Sequence, residues 1–204
     1  MTFPHFTPAD FDAFDVPGLE DRMAAIKAGP RPKLEALGQL MLPELARLTG
    51  RQFFPHIAKH ARRKINPPTD TWIAWSTNPR GYKMAPHFQV GLWESHLFIQ
   101  AGVIYEAAGR AQFGARLLAS PPALPGHYRW LEDYMVPTGI RQDAMTRADW
   151  ERLADRLANR KQADAMVGID IPRADAVALR GDELVGLVIE TLETLVPVWR
   201  LAAE

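Results

Sequence analysis

The alternation of apolar and polar positions divides the chain into a helical first quarter, a strand-rich middle and a mixed C-terminal part. Thr7 followed by Pro8 marks a helix start, since a hydroxyl can accept from free amides while proline suits the first helical position. The spacing predicts a short helix through Phe14. After Pro17-Gly18, Leu19, Met23 and Ile26 fall at helical intervals, and Leu34, Leu37, Met41, Leu45 and Leu48 predict a third helix beginning at Pro30 or Pro32. Pro43 is expected to kink or divide it, and Thr49-Gly50 to end it.

The period then changes. Thr71 to Thr77 is β-branched and aromatic, which predicts a strand, and Asn78-Pro79-Arg80-Gly81 has the residues of a type I turn. Folding 87–93 back on 96–105 around Glu94-Ser95 sorts the side chains by face. Phe88, Val90, Leu92, Leu97, Ile99, Ala101, Val103 and Tyr105 share one side, while His87, Gln89, Gly91, Trp93, His96, Phe98, Gln100 and Gly102 share the other. One face of this antiparallel hairpin is expected to cover a core and the other to meet water or a ligand. Further on, glycine and proline clusters bracket a short helix between Gly109 and Gly126, and Tyr128 to Leu131 predicts a strand. Thr146 with Asp149 predicts a capping box for a helix ending near Lys161, and Met166 to Ile171 another strand. Asp182 is expected to cap a final helix with Leu184, Leu187, Val188, Leu192 and Leu195 inward, disturbed in its last turn by Pro197. Residues 56–65 suit a helix or a strand equally.

The pattern predicts an α+β fold: a single compact domain, residues 1–204, with a mixed or antiparallel sheet covered by helices. With no cysteine, disulfide frameworks, thiolate metal sites and thiol nucleophiles are excluded. No leader-like run opens the chain and no apolar stretch reaches membrane-spanning length, so a cytoplasmic protein with no membrane partner is expected.

Charge is zero overall but unevenly spread. Residues 51–93 carry six net positive charges, 1–50 two net negative and 94–204 four. Such segregation favours an anionic partner. His56, Lys59, His60, Arg62, Arg63 and Lys64 form one basic run, and Arg80, Tyr82, Lys83 and His87 a second. Asn66-Pro67-Pro68 redirects the chain between them, and Trp72 and Trp75 lie on the intervening strand, pointing to opposite faces. If the two runs meet, their cations converge on one rim with an aromatic ring alongside.

His56 and His60 stand about 6 Å apart on a helix, within reach of one metal, but roughly 13 Å apart on a strand. No acid lies between them and no further ligand is evident, so no metal is predicted. Nucleotide-binding glycine motifs and a nucleophile elbow are absent, and the sequence names no cofactor.

The stretch from Phe54 to Glu106, FPHIAKHARRKINPPTDTWIAWSTNPRGYKMAPHFQVGLWESHLFIQAGVIYE, resembles the YktB-like family of uncharacterised bacterial proteins. The likeness extends upstream through FTPADFDAFDVPGLEDRM and downstream to GIDIPRADAV, and is weakest over 107–145. It implies a compact single-domain α+β fold and no particular activity. The residues themselves point to a module that binds a small phosphate- or carboxylate-bearing ligand, nucleic acid being the weaker candidate. The alternatives are a hydrolase or transferase with a histidine general base, or a non-enzymatic protein-interaction module. Whether the protein is an enzyme is left open.

Overall fold

A computed structural model describes residues 3–204. The N-terminal helices are α1 (Pro8–Asp12), α2 (Leu19–Ala28), α3 (Pro30–Leu40) and α4 (Leu42–Thr49). Pro43 divides rather than kinks: α3 stops one residue before α4 begins, and Gly50 closes α4 in a left-handed conformation, φ 72°. Next come β1 (Phe54–Ile57), β2 (Asp70–Ser76), β3 (His87–Trp93) and β4 (His96–Val103). They are followed by α5 (Arg110–Ala119), β5 (Arg129–Leu131), β6 (Ile140–Arg141), α6 (Arg147–Asn159), β7 (Ala165–Pro172), α7 (Arg173–Ala178) and α8 (Gly181–Ala203).

The strands form one seven-stranded sheet in the order β1-β2-β3-β4-β7-β5-β6, antiparallel throughout. The α+β architecture is as expected, and the β3–β4 hairpin has the predicted register, His87 opposite Gly102 and Leu92 opposite Leu97. One sheet face carries Ile73, Trp75, Phe88, Val90, Ile99 and Val167 into the main core beneath the helices. Trp75 anchors this side: its ring is fully buried and Nε1 donates to the Gly38 carbonyl of α3 at 2.8 Å. Trp75→Phe keeps most of the ring but leaves that carbonyl without its donor and a small void, so we expect a loss of about 2 kcal/mol in a denaturant titration.

Several expectations need correction. Residues 56–65 are neither one helix nor one strand, since β1 ends at Ile57 and His60 is left-handed at φ 51°. β4 ends at Val103, before Tyr105 can join the apolar face; Tyr105 is only half-buried instead. Asp182 lies in the first turn of α8 and is not its cap; Arg180 precedes the helix, its N–H donating to Glu183. Pro197, expected to disturb the last turn of α8, sits inside a helix that runs on to Ala203, where burial of Val198, Trp199 and Ala202 holds the turn against the missing hydrogen bond. β6 and α7 were not anticipated. Both are too short to show a period.

Candidate ligand-binding site

The register places a defined set of side chains on the sheet face away from the main core. Along β2 they are Asp70, Trp72 and Ala74; along β3, Trp93, Gly91, Gln89 and His87; along β4, His96, Phe98, Gln100 and Gly102; on β7 and β5, Asp170, Gly168 and Arg129. This face is buried in large part, yet it is rich in polar groups. Gln89 donates to Gln100 across the ladder at 2.9 Å, both buried. A small second cluster of Ala58, Trp72, Ala74, Tyr82, Phe98, Ile104, Leu131 and Met166 supplies its apolar contacts.

Three irregular segments roof this face. Residues 58–69 are held at both ends by the N-terminal helices, Arg31 Nη2 donating to the Ala58 carbonyl at 2.9 Å and Arg22 Nη1 to that of Pro68 at 3.1 Å. Left-handed His60 turns the chain so that the Arg63 N–H reaches the His60 carbonyl, which presents Arg62 and Arg63 together. In the second segment, Asn78 Oδ1 accepts from the Arg80 N–H at 3.0 Å, tightening the turn that leads to Tyr82 and Lys83. The third, 132–139, is pinned by Asp164, whose oxygens accept from the backbone N–H groups of Tyr105 at 2.6 Å and Tyr134 at 3.1 Å.

Where these segments meet lies a cleft of about 380 Å³, with Lys59, His60, Arg62 and Arg63 on one side, Tyr82 and Lys83 on another, Tyr134 opposite, and Trp72 also in its lining. Trp72 sits edge-on to three rings, His60 at 5.6 Å, Tyr134 at 6.0 Å and Tyr82 at 6.4 Å between centroids. A neighbouring hollow of about 560 Å³ shares Lys59, Tyr82 and Lys83 and adds His56 and Arg80. The two basic runs of the sequence therefore border connected surface. Lys64 is exposed and lines neither space. His87 lines neither as well: it is fully buried with its ring 4.9 Å from that of Tyr82.

Of the cations at this rim, Lys83 is paired with Glu106 at 3.0 Å, and Arg63 Nη1 donates to the Asn66 and Pro67 carbonyls. Lys59, Arg62, Lys64 and Arg80 have no carboxylate within ion-pair distance among the described residues, so the acidic helices do not neutralise the run. Beneath the cleft, Asp70 Oδ1, Trp72 Nε1 and His87 Nε2 are buried without a hydrogen-bond partner. The Trp72 indole N–H does lie close to the Tyr82 hydroxyl, and His87 close to Gln89, but in neither case with the alignment of a good bond.

The electrostatics follow from burial and from this charge. Burial, then the Arg63 and Arg31 guanidinium groups, lowers His60 to about 4, so it is neutral at pH 7. Burial alone dominates at His87, also lowered to about 4. Both imidazoles are then weak bases, poorly matched to general-base work near neutrality. Burial raises Asp70 to about 7, against the opposing pull of Arg63. Burial likewise pushes the Tyr82 and Tyr134 hydroxyls up, keeping them protonated donors.

His56 bonds to the Asn78 carbonyl at 3.0 Å and His60 to Thr71 Oγ1 at 3.3 Å, so the two imidazoles have separate partners. Among the described residues no group of three His, Asp or Glu side chains is placed to hold a metal, and no helix is long and apolar enough to cross a membrane. Sequence reasoning missed Tyr134, which sits in a segment without periodicity, and gave Asp70 no role. The isolated acid inside a basic stretch was the available signal for Asp70.

The fold and cleft define a helix-covered antiparallel-sheet protein whose second face is roofed by cationic and aromatic loops. The chain belongs to the family described as Domain of unknown function (DUF1054), whose model matches residues 6–199. It is 42% identical to a UPF0637 protein of Bacillus cereus and 42% identical to one of Bacillus mycoides, each alignment covering 98% of this chain and 99% of the relative. A UPF0637 protein of Bacillus anthracis is 41% identical over the same shares.

Proposed function

We propose that the protein binds a small ligand bearing a phosphate or carboxylate on a planar scaffold, in the cleft between residues 58–63, Tyr82-Lys83 and Tyr134. The observation that carries this reading is the convergence of Lys59, Arg62, Arg63 and Lys83 on a cleft walled by Trp72, Tyr82 and Tyr134. Lys59 and Arg62, which have no carboxylate partner among the described residues, provide charge-assisted bonds to an anion, and ring edges and faces provide contact for a flat group. The buried, unsatisfied indole N–H of Trp72 supports the reading, because an unpartnered donor in a cleft floor is satisfied when a ligand acceptor arrives. A compact cleft on a chain of zero net charge fits a small ligand better than a duplex, which needs a long basic track.

The test is a thermal-shift and calorimetric panel of inorganic phosphate, pyrophosphate, nucleoside phosphates and aromatic carboxylates at low and high salt. A planar anionic ligand is expected to raise the melting temperature, and Arg62→Ala or Lys59→Ala to weaken binding about tenfold each, the worth of one charge-assisted contact. The imidazole resonance of His60 should move on binding as its surroundings lose positive potential. Identical shifts for the wild type and a Lys59→Ala, Arg62→Ala double variant overturn the proposal.

A further inference from the structure

At the opposite side of the same sheet face a second set of side chains has a geometry that anion binding does not use. Ser95 lies in the turn between β3 and β4, His96 opens β4, and Asp170 is on β7. Ser95 Oγ and His96 Nδ1 are 2.9 Å apart, and His96 Nε2 faces Asp170 Oδ1 at 3.7 Å. The ladder fixes the pair, since His96 is opposite Pro172 and Phe98 opposite Asp170, so imidazole and carboxylate are diagonal neighbours on one face. The Trp93 ring lies nearly parallel to the imidazole, 6.2 Å away with 9° between planes.

These contacts assign roles. When the Ser95 hydroxyl donates to Nδ1, the ring proton sits on Nε2, toward the carboxylate, and Nδ1 is the free base. Burial lowers His96 below its ordinary value, with Asp170 opposing, which keeps that base form at neutral pH. The cleft at this point, about 470 Å³, is lined by Ser95, His96, Arg129, Thr138, Asp170 and Pro172 among others. Arg129, whose Nη1 also donates to the Gly139 carbonyl at 3.2 Å, brings a cation to the same cleft. The separation from Nε2 to Asp170 exceeds a hydrogen bond, as is common before substrate tightens such a site.

We propose that Ser95, His96 and Asp170 form a nucleophilic centre that hydrolyses small carboxylic esters, with Arg129 beside the developing oxyanion. Ser95 Oγ bonds to the ester carbonyl carbon while its proton passes to His96 Nδ1, and the carbonyl oxygen takes up negative charge near the Arg129 guanidinium. The carbonyl re-forms, the ester C–O bond breaks, and the alcohol leaves with the proton from Nδ1, so that Ser95 carries the acyl group. Water then gives a proton to Nδ1 and its oxygen to the acyl carbon. The Ser95 ester breaks, Oγ regains the proton, and a carboxylic acid departs. Asp170 steadies the imidazolium in both halves.

The experiment treats the full chain with a fluorophosphonate probe, maps the label by peptide mass spectrometry, and follows hydrolysis of p-nitrophenyl acetate. Label on Ser95 is expected, absent in Ser95→Ala, with hydrolysis lowered about 10²-fold in Ser95→Ala and in His96→Ala. Ser95 is exposed in a turn, so Ser95→Ala should keep the wild-type circular dichroism spectrum. No label on Ser95, or equal hydrolysis by wild type and Ser95→Ala, overturns the proposal. Neither outcome touches ligand binding at Lys59 and Arg62, which is tested separately.

Discussion

Asp70→Asn is expected to stabilise the protein by about 2 to 4 kcal/mol at pH 8 and by little at pH 4. Asp70 is 1% exposed, Oδ1 has no partner, and burial raises its pKa from 3.8 to about 7. The folded state therefore prefers the protonated acid. Between pH 3.8 and 7 the folded protein holds a proton that the unfolded chain has released, so stability from this group is complete below 3.8 and is lost as pH rises through 7. An amide of the same shape avoids that loss. Urea titrations of both forms at pH 4 and 8 check it, and an Asn variant less stable than wild type at pH 8 would contradict the burial argument.

The half-buried His60 and the buried His87 act in the opposite sense. His60 and His87 are lowered from 6.5 to about 4, so the unfolded chain binds their protons first, and stability is full above 6.5 and lost as pH falls through 4. Two such groups outweigh one Asp70 between pH 4 and 6.5. The wild type should gain stability across that window and lose a little toward pH 8, and Asp70→Asn should remove the decline. A buried carboxyl kept at a cost in stability is a pattern common at functional positions. It also links pH to binding: the neutral acid does not repel an anionic ligand, whereas the carboxylate formed above pH 7 does. Affinity for the anions of the proposed panel should fall above pH 7 in the wild type and stay level in the Asn variant.

The sequence carried the sheet more clearly than its roof. Alternation in 87–103 set the two faces of the hairpin because a strand with one buried side repeats every second residue. The same logic separated Trp72 from Trp75, which the fold places in different clusters. In 58–69 and 132–139 no period exists, since backbone contacts from Arg22, Arg31 and Asp164 hold those segments. Long-range anchors of that kind leave no local pattern. For the same reason the basic runs could be found by counting charge, while Tyr134 could not. Ser95 and His96 are adjacent in the chain, but Asp170 reaches them only through the β4–β7 ladder, and turn position alone gave them no chemistry.

Gly168→Ala is expected to cost about 3 kcal/mol or more, enough to threaten folding. Gly168 lies inside the sheet, opposite Gln100 of β4 on one side and Arg129 of β5 on the other. A methyl group there would lie 1.9 Å from the Ile99 carbonyl oxygen and 2.7 Å from the Gln100 Cα. Both obstacles are backbone, and β4 is also held by β3, so no side-chain rotation relieves the clash. Gly102 on β4 meets β7 in the same way, its added carbon 2.0 Å from the Ala165 carbonyl at φ 149°. Glycine on both strands of one ladder marks a close backbone approach. That approach brings Asp170 to His96 and places Gln100 over Gly168, so forcing the strands apart should disturb both clefts before the main core. Gly186, exposed in α8 with nothing within 4 Å of an added carbon, is the control. Gly186→Ala should stabilise by about 0.5 to 1 kcal/mol, because alanine restricts the unfolded chain and favours helix. Thermal melts of the two variants beside wild type should therefore move in opposite directions, and equal small shifts would show that β4 and β7 can separate more easily than their spacing implies.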